Sequence, residues 1–201
     1  MDSANRGSRK PLGLPRGMTA VTTRNFADFV KALLEHLNRE KIDYAITGAV
    51  AVSYYGIPRT TLDADFVIHI SPRRTRRFFR GLGDVGMDVD MEKVGRQLRS
   101  GYNVITVTDK LSPYSADMII TREPPKKREG MIQGIRAYFQ SPESLILAKL
   151  RMIKATIPVE RSQKDRDDIR AILTNTTVDT KMIVNGAKRE TTLTIFQQVA
   201  P

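Results

Sequence analysis

The run YAITGAVAVSYYGIPRTTLDADFVIHI, Tyr44 to Ile70, restricts the fold of this chain more than any other stretch. It reads as a short apolar strand, a turn at Gly48, a helix of small residues, a breaker at Gly56 and Pro58, and a second strand. In that second strand Ala64, Phe66, Ile68 and Ile70 alternate with Asp63, Asp65, Val67 and His69. Side chains change face at every strand residue, so the two aspartates share one face and the apolar set lines the other. Their carboxylates then stand about 6–7 Å apart before rotamers adjust. At protein-like screening they repel by roughly 2–3 kcal/mol, and aspartate is ill suited to strand interiors. The pair asks for a compensating cation, for which Arg59, just upstream, and a divalent metal are both candidates. A glycine turn feeding a helix N-terminus, followed by two same-face carboxylates, suits a metal-bound polyphosphate.

Charge narrows the partners. The 201 residues carry a formal net charge of +11, which favours a polyanion, nucleic acid or an anionic membrane surface, over a neutral partner. A generally basic surface with no dedicated partner is the plainer alternative. There is no cysteine, which excludes disulfide scaffolds, zinc fingers and thiol nucleophiles, and His36 and His69 are too few for most histidine-based metal sites. No apolar run approaches the roughly 20 residues needed to span a bilayer, and the first twenty residues lack the apolar segment of a secretory signal. No membrane association and a cytoplasmic location are expected.

The sequence divides into a flexible basic leader over 1–22, a core over 23–140 and a C-terminal helical segment over 141–201 packed on that core. A first helix is expected from about Phe26 to Lys41, capped by Asn25. Ser71-Pro72 opens another helix, ending by Gly81, on which Arg73, Arg76, Arg77 and Arg80 share a face that is either solvated or phosphate-binding. Gly81 to Gly86 reads as a loop, Met91 to Leu98 as a helix, and Asn103–Thr108 and Ala116–Thr121 as strands. The paired prolines make Glu123 to Arg128 a loop, and Ile132 to Phe139 a further strand. Helices follow from Ser141, from Gln163 to Leu173, and from Thr180 to Gln198 with a bend near Asn185-Gly186.

Asp117 opens a predicted strand. If that strand lies beside the one bearing Asp63 and Asp65, three carboxylates converge and two metals could be bridged; otherwise Asp117 is a strand-edge residue. Gly48-Ala49, thirteen residues (Val50 to Leu62), then Asp63-Ala64-Asp65 resembles the signature of the DNA polymerase β-type nucleotidyltransferase superfamily. The longer pattern Gly48-x-x-Ala51, Gly56, Arg59, Thr61, Asp63, Asp65 resembles its small stand-alone branch, which includes AbiEii-type toxin nucleotidyltransferases. So do SPESLILAKLRM (Ser141 to Met152) and KDRDDI (Lys164 to Ile169). The resemblance covers about Tyr44 to Leu173.

The resemblance implies an α/β (α+β) fold, a mixed sheet flanked by helices with further helices at the C-terminus. It also implies magnesium-dependent transfer of a nucleoside monophosphate from an NTP to an acceptor hydroxyl, with release of pyrophosphate. Asp63, Asp65 and Asp117 would hold a two-metal magnesium site, and Asp117 would alternatively accept the acceptor's proton. Gly48 and Ala49 would offer backbone N–H groups to the triphosphate, with Arg59 and Thr61 touching phosphate or orienting the metal strand. Lys149 would face phosphate, unless it is a solvated helix lysine. Asp165 matches the last aspartate of the pattern, or else simply favours a helix N-terminus. Ala49 departs from the usual Gly or Ser and removes a hydroxyl. His69 is left out as a strand-end residue, and Tyr54 and Tyr55 are assigned to packing. The basic balance makes RNA, such as tRNA, the expected acceptor, and a toxin-like member would have an antitoxin partner. The alternatives are a nucleotidyltransferase fold without catalysis that binds RNA or a protein, and transfer to a small molecule or a protein hydroxyl.

Overall fold

The computed structural model describes residues 23–200; the expected leader over 1–22 lies outside them. Helix α1 (Phe26–Arg39) starts where Asn25 accepts a hydrogen bond from the Asp28 N–H, and its stripe of Phe29, Val30, Leu33, Leu34 and Leu37 is buried. Strand β1 (Asp43–Thr47), helix α2 (Gly48–Tyr55) and strand β2 (Asp63–His69) follow. Next come α3 (Pro72–Gly81), β3 (Met87–Asp88), α4 (Met91–Arg99), β4 (Val104–Asp109) and β5 (Ser115–Thr121). Strands β6 (Lys127–Ile132) and β7 (Ile135–Gln140) precede four helices: α5 (Pro142–Ala155), α6 (Gln163–Asn175), α7 (Thr180–Arg189) and α8 (Leu193–Val199).

The seven strands form one mixed sheet in the order β3-β4-β5-β2-β1-β7-β6. β2 is the middle strand, antiparallel to β1 and parallel to β5. Its apolar alternation is realised: Ala64, Phe66 and Ile68 are fully buried, as are Ala116 and Met118 of β5. The two apolar sets therefore lock the β2–β5 register, since a one-residue slip would turn each set out of the core. Helices α5 and α6 pack on each other and on α2, and α7 and α8 pack on α5. No helix of the described residues is long and apolar enough to cross a membrane.

Several expectations are corrected. Lys127 and Arg128, expected in a loop, begin β6, and the stretch expected as one strand to Phe139 is the second half of a hairpin. Its turn is Gln133-Gly134, both at positive φ, the pairing a two-residue hairpin requires. Gly81 to Gly86 holds a 3₁₀ turn over Leu82–Val85, and Met87–Asp88 adds an edge strand. The expected bend at Asn185-Gly186 is absent. α7 runs through Gly186, where a Cβ would lie 2.5 Å from Leu147 Cδ1, so that glycine lets α7 approach α5; the break comes after Arg189. Ser71 occupies the N-cap of α3, but its hydroxyl caps nothing.

Candidate active site

Backbone pairing places Asp65 opposite Asp117 on the parallel strands β2 and β5, with Asp63 opposite Ser115. Asp63, Asp65 and Asp117 line one cleft of about 610 Å³ together with Gly48, Ala49, Arg59, Thr61, Lys149 and Asp165. Every residue singled out in the sequence for a site thus borders the same space. The cleft sits at the N-terminus of α2, whose cap residue Thr47 bonds no helix N–H and instead donates its hydroxyl to Gln140. Those first N–H groups and the helix dipole face an anion favourably.

Gly48 explains how the carboxylate and the helix come so close. Its φ is +59°, and a Cβ there would stand 1.9 Å from Asp65 Oδ2. Only glycine supplies both the left-handed backbone and the room. Ala49 is buried beneath, and its carbonyl accepts from Ser53 Oγ at 3.0 Å. The same Oγ accepts from the Arg59 N–H at 3.2 Å, which ties the Gly56–Leu62 loop to α2.

The carboxylates are unequal. Asp63 Oδ1 accepts from Ser115 at 2.6 Å and Asp117 Oδ1 from Thr106 at 2.7 Å. No hydrogen bond or ion pair of the described residues reaches the Asp65 carboxylate. Burial raises its pKa above the ordinary value, and repulsion from Asp117 and then Asp63 adds to this; Lys149 and Arg59 offset part. Arg59, the proposed counter-charge, is directed elsewhere: its guanidinium pairs with Asp168 at 3.1 Å, while its Nε is buried without a partner.

Lys149 is not a solvated helix lysine. It is buried and bonds Asp165 at 2.8 Å and Asp168 at 2.6 Å. Asp168 is the residue sequence reasoning missed. Buried at 5% exposure, it holds Lys149 and Arg59 at once, so α5, α6 and the Arg59 loop meet on one carboxylate. The signal was its position three residues after Asp165, on the same helix face. Thr61 bonds the backbone of Asp63, its hydroxyl donating to the carbonyl at 3.1 Å. His69 approaches the Thr121 carbonyl, and Tyr54 stacks on Phe139 at 3.7 Å, both structural placements.

Because Lys149 and Arg59 pair with Asp165 and Asp168, they offset only part of the negative charge of the three strand carboxylates, whose hard oxygen donors fit a magnesium-type ion. They are not a finished cage: among the described residues no group of three or more His, Cys, Asp or Glu is placed to hold a metal. The bonds to Ser115 and Thr106 turn one oxygen of Asp63 and one of Asp117 toward hydroxyls instead.

Among solved structures the chain is similar to ANT(2")-Ia in complex with adenylyl-2"-tobramycin, at TM-score 0.55 and 14% identity, covering 86% of this chain and 97% of that one. It is also similar to an antigenic nucleotidyltransferase-like protein from Paracoccidioides brasiliensis, at TM-score 0.53 and 15% identity over 87% and 92% of the two chains. The fold is that of the nucleotidyltransferases. The lincosamide antibiotic adenylyltransferase LnuA, lincomycin-bound, shares the nucleotidyltransferase fold at TM-score 0.50 and 11% identity over 75% and 99%. No protein-family model and no curated protein sequence matches the chain, so likeness to the AbiEii-type branch rests on the motifs themselves.

Proposed function

We propose that the protein is a nucleotidyltransferase that moves a nucleoside monophosphate from an NTP to an acceptor hydroxyl. The observation that carries this reading is the in-register placement of Asp65 beside Asp117, with Asp63, at the N-terminus of α2. Magnesium bound by these carboxylates would act as a Lewis acid on the phosphoryl oxygens. The first N–H groups of α2 at Gly48 and Ala49 bind the triphosphate, with Arg59 and Lys149 at the cleft supplying positive charge against it. Thr61 steadies the Asp63 backbone. Asp165 and Asp168 hold Lys149 and Arg59 in place. The acceptor oxygen bonds to the α-phosphorus, the bond to the α–β bridging oxygen breaks, and pyrophosphate leaves. The acceptor's proton passes to the Asp117 carboxylate in this reading.

The net charge of +11 supports an RNA acceptor, tRNA included. A small-molecule acceptor is the second reading, supported by the adenylyl-2"-tobramycin and the lincomycin bound in two structures of the same fold. A toxin role with an antitoxin partner is proposed on the motif resemblance alone. Incubation with each α-labelled NTP, magnesium, and either total RNA or a hydroxylated small-molecule panel decides among them. Label should enter RNA and be lost in Asp63→Ala. Label in small molecules replaces the acceptor, and no label anywhere with intact RNA binding leaves a non-catalytic RNA-binding protein.

A further inference from the structure

Among the described residues, a dense cluster of positive charge lies outside the cleft, on α3. Helix α3, sequence PRRTRRFFRG, carries five arginines and no acid, five of the chain's surplus of eleven positive charges. Its Phe78, Phe79 and Thr75 are buried, so the arginines occupy the outward side. Arg74 is anchored by the Glu40 carbonyl. Arg73, Arg76, Arg77 and Arg80 are exposed, and among the described residues none of them has a hydrogen bond or an ion pair. Four guanidinium groups thus span about 10 Å of helix with nothing to neutralise them. Beside them a groove of about 170 Å³ between α3 and α4 is edged by Arg76 and Arg99.

We infer that this α3–α4 face docks the phosphodiester backbone of the nucleic acid that presents the acceptor hydroxyl. A nucleic-acid strand offers a phosphate about every 3.4 Å of its rise, dense enough to engage several of the four, and guanidinium binds phosphate in bidentate fashion. The face has no exposed aromatic anchor on α3, because both phenylalanines point inward, so it is not built to enter a lipid interface. The groove does carry apolar side chains, Met91, Val94 and Leu98, but they lie on α4, and the outward side of α3 itself presents arginines, with no apolar centre for a protein partner. It also sits apart from the chemistry: from Asp65 to the end of β2, the strand leading into α3, is about 13 Å. A small acceptor in the cleft cannot touch it, whereas a folded RNA can rest there with one end in the cleft. The acceptor part of this inference rests on the transferase reading above; the docking part does not.

The test is fluorescence anisotropy of full-length protein with fluorescein-labelled tRNA and with a duplex DNA of similar size, in the absence of NTP, over a salt series. R73Q/R76Q/R77Q/R80Q should weaken tRNA binding on the order of tenfold or more, and flatten the log K against log salt slope by about 0.9 for each phosphate no longer neutralised. The quadruple Arg→Lys variant should keep most of the affinity and confirm that the helix is intact. A parallel loss on duplex DNA would assign the face to nucleic acid in general, and a loss on tRNA alone to RNA. An unchanged affinity and slope overturns the inference. So does an equal loss in K110Q/R122Q/K181Q/K188Q, a change of the same charge at scattered positions. Loss of binding to equimolar phosphatidylcholine–phosphatidylserine vesicles with tRNA binding intact overturns it as well. RNA labelling at unchanged efficiency in the Gln variant sinks the docking and leaves the transferase reading; docking through α3 with no label transferred does the reverse.

Discussion

A methyl group on Gly48 would land 1.9 Å from Asp65 Oδ2 and force an alanine to hold φ at +59°. Gly48→Ala should therefore cost about 1–3 kcal/mol in denaturant unfolding and displace the Asp65 carboxylate, with loss of label transfer. Asp65 itself is a destabilising group. Its folded pKa is raised from 3.8 by burial and by Asp117 and Asp63. A carboxyl raised on folding binds more protons in the folded than in the unfolded chain between those two values, so stability falls as pH climbs through that window. Without metal, Asp65→Asn should raise Tm at neutral pH and gain nothing once the pH is below 3.8. Magnesium should raise the Tm of the wild type and leave that of Asp65→Asn nearly unmoved, which calorimetry in both buffers checks. Alternation along the strand made Asp63 and Asp65 legible in the sequence, because it depends only on a period of two. The burial of Lys149 was not legible, since a lysine on a half-apolar helix reads the same whether it meets water or a buried acid. Asp168 was hidden among the charges of KDRDD for the same reason; its partners come from α5 and from the Arg59 loop, both distant in sequence.

Between elements, α6 grips the cleft through two carboxylates, of which Asp168 holds both cations. Asp168→Ala leaves Arg59 without its ion pair and Lys149 with Asp165 alone. Removing one partner of a buried pair costs about 3–5 kcal/mol, and Asp165→Ala, at a more exposed position, should cost less; chemical denaturation of both variants gives the comparison. Gly186→Ala drives a methyl into Leu147 where α5 meets α7 and should cost about 1–3 kcal/mol by over-packing, without touching the cleft. Helix boundaries with caps were readable: Asn25 and Ser141 each accept the N–H bond that starts their helix. The β6–β7 hairpin was not, because its Gln133-Gly134 turn lacks the usual Asn or Asp and the prolines before it argued for a loop.

Across the molecule, the sign of the charge is one-sided. A net +11 on 201 residues repels itself, so Tm should climb as salt rises from about 20 to 200 mM, before any ligand is present. A flat or falling Tm would mean that paired charges, not the surplus, set the surface energetics. The order of the strands was beyond the sequence: periodicity identifies each strand but not its neighbour. That β5 returns beside β2 in parallel, while β4 flanks it on the other side, depends on tertiary packing.

That arrangement has a kinetic corollary. Asp63 and Asp65 open the middle strand of seven, paired with β5 from Asp63 on and with β1 from Asp65 on, and Asp117 belongs to β5. Amide protons of Ala64, Phe66, Ala116 and Met118 should exchange with deuterium only when the whole domain opens. The acidic floor of the cleft is then permanent on any timescale shorter than global unfolding, and whatever turns the protein on or off has to work on its walls.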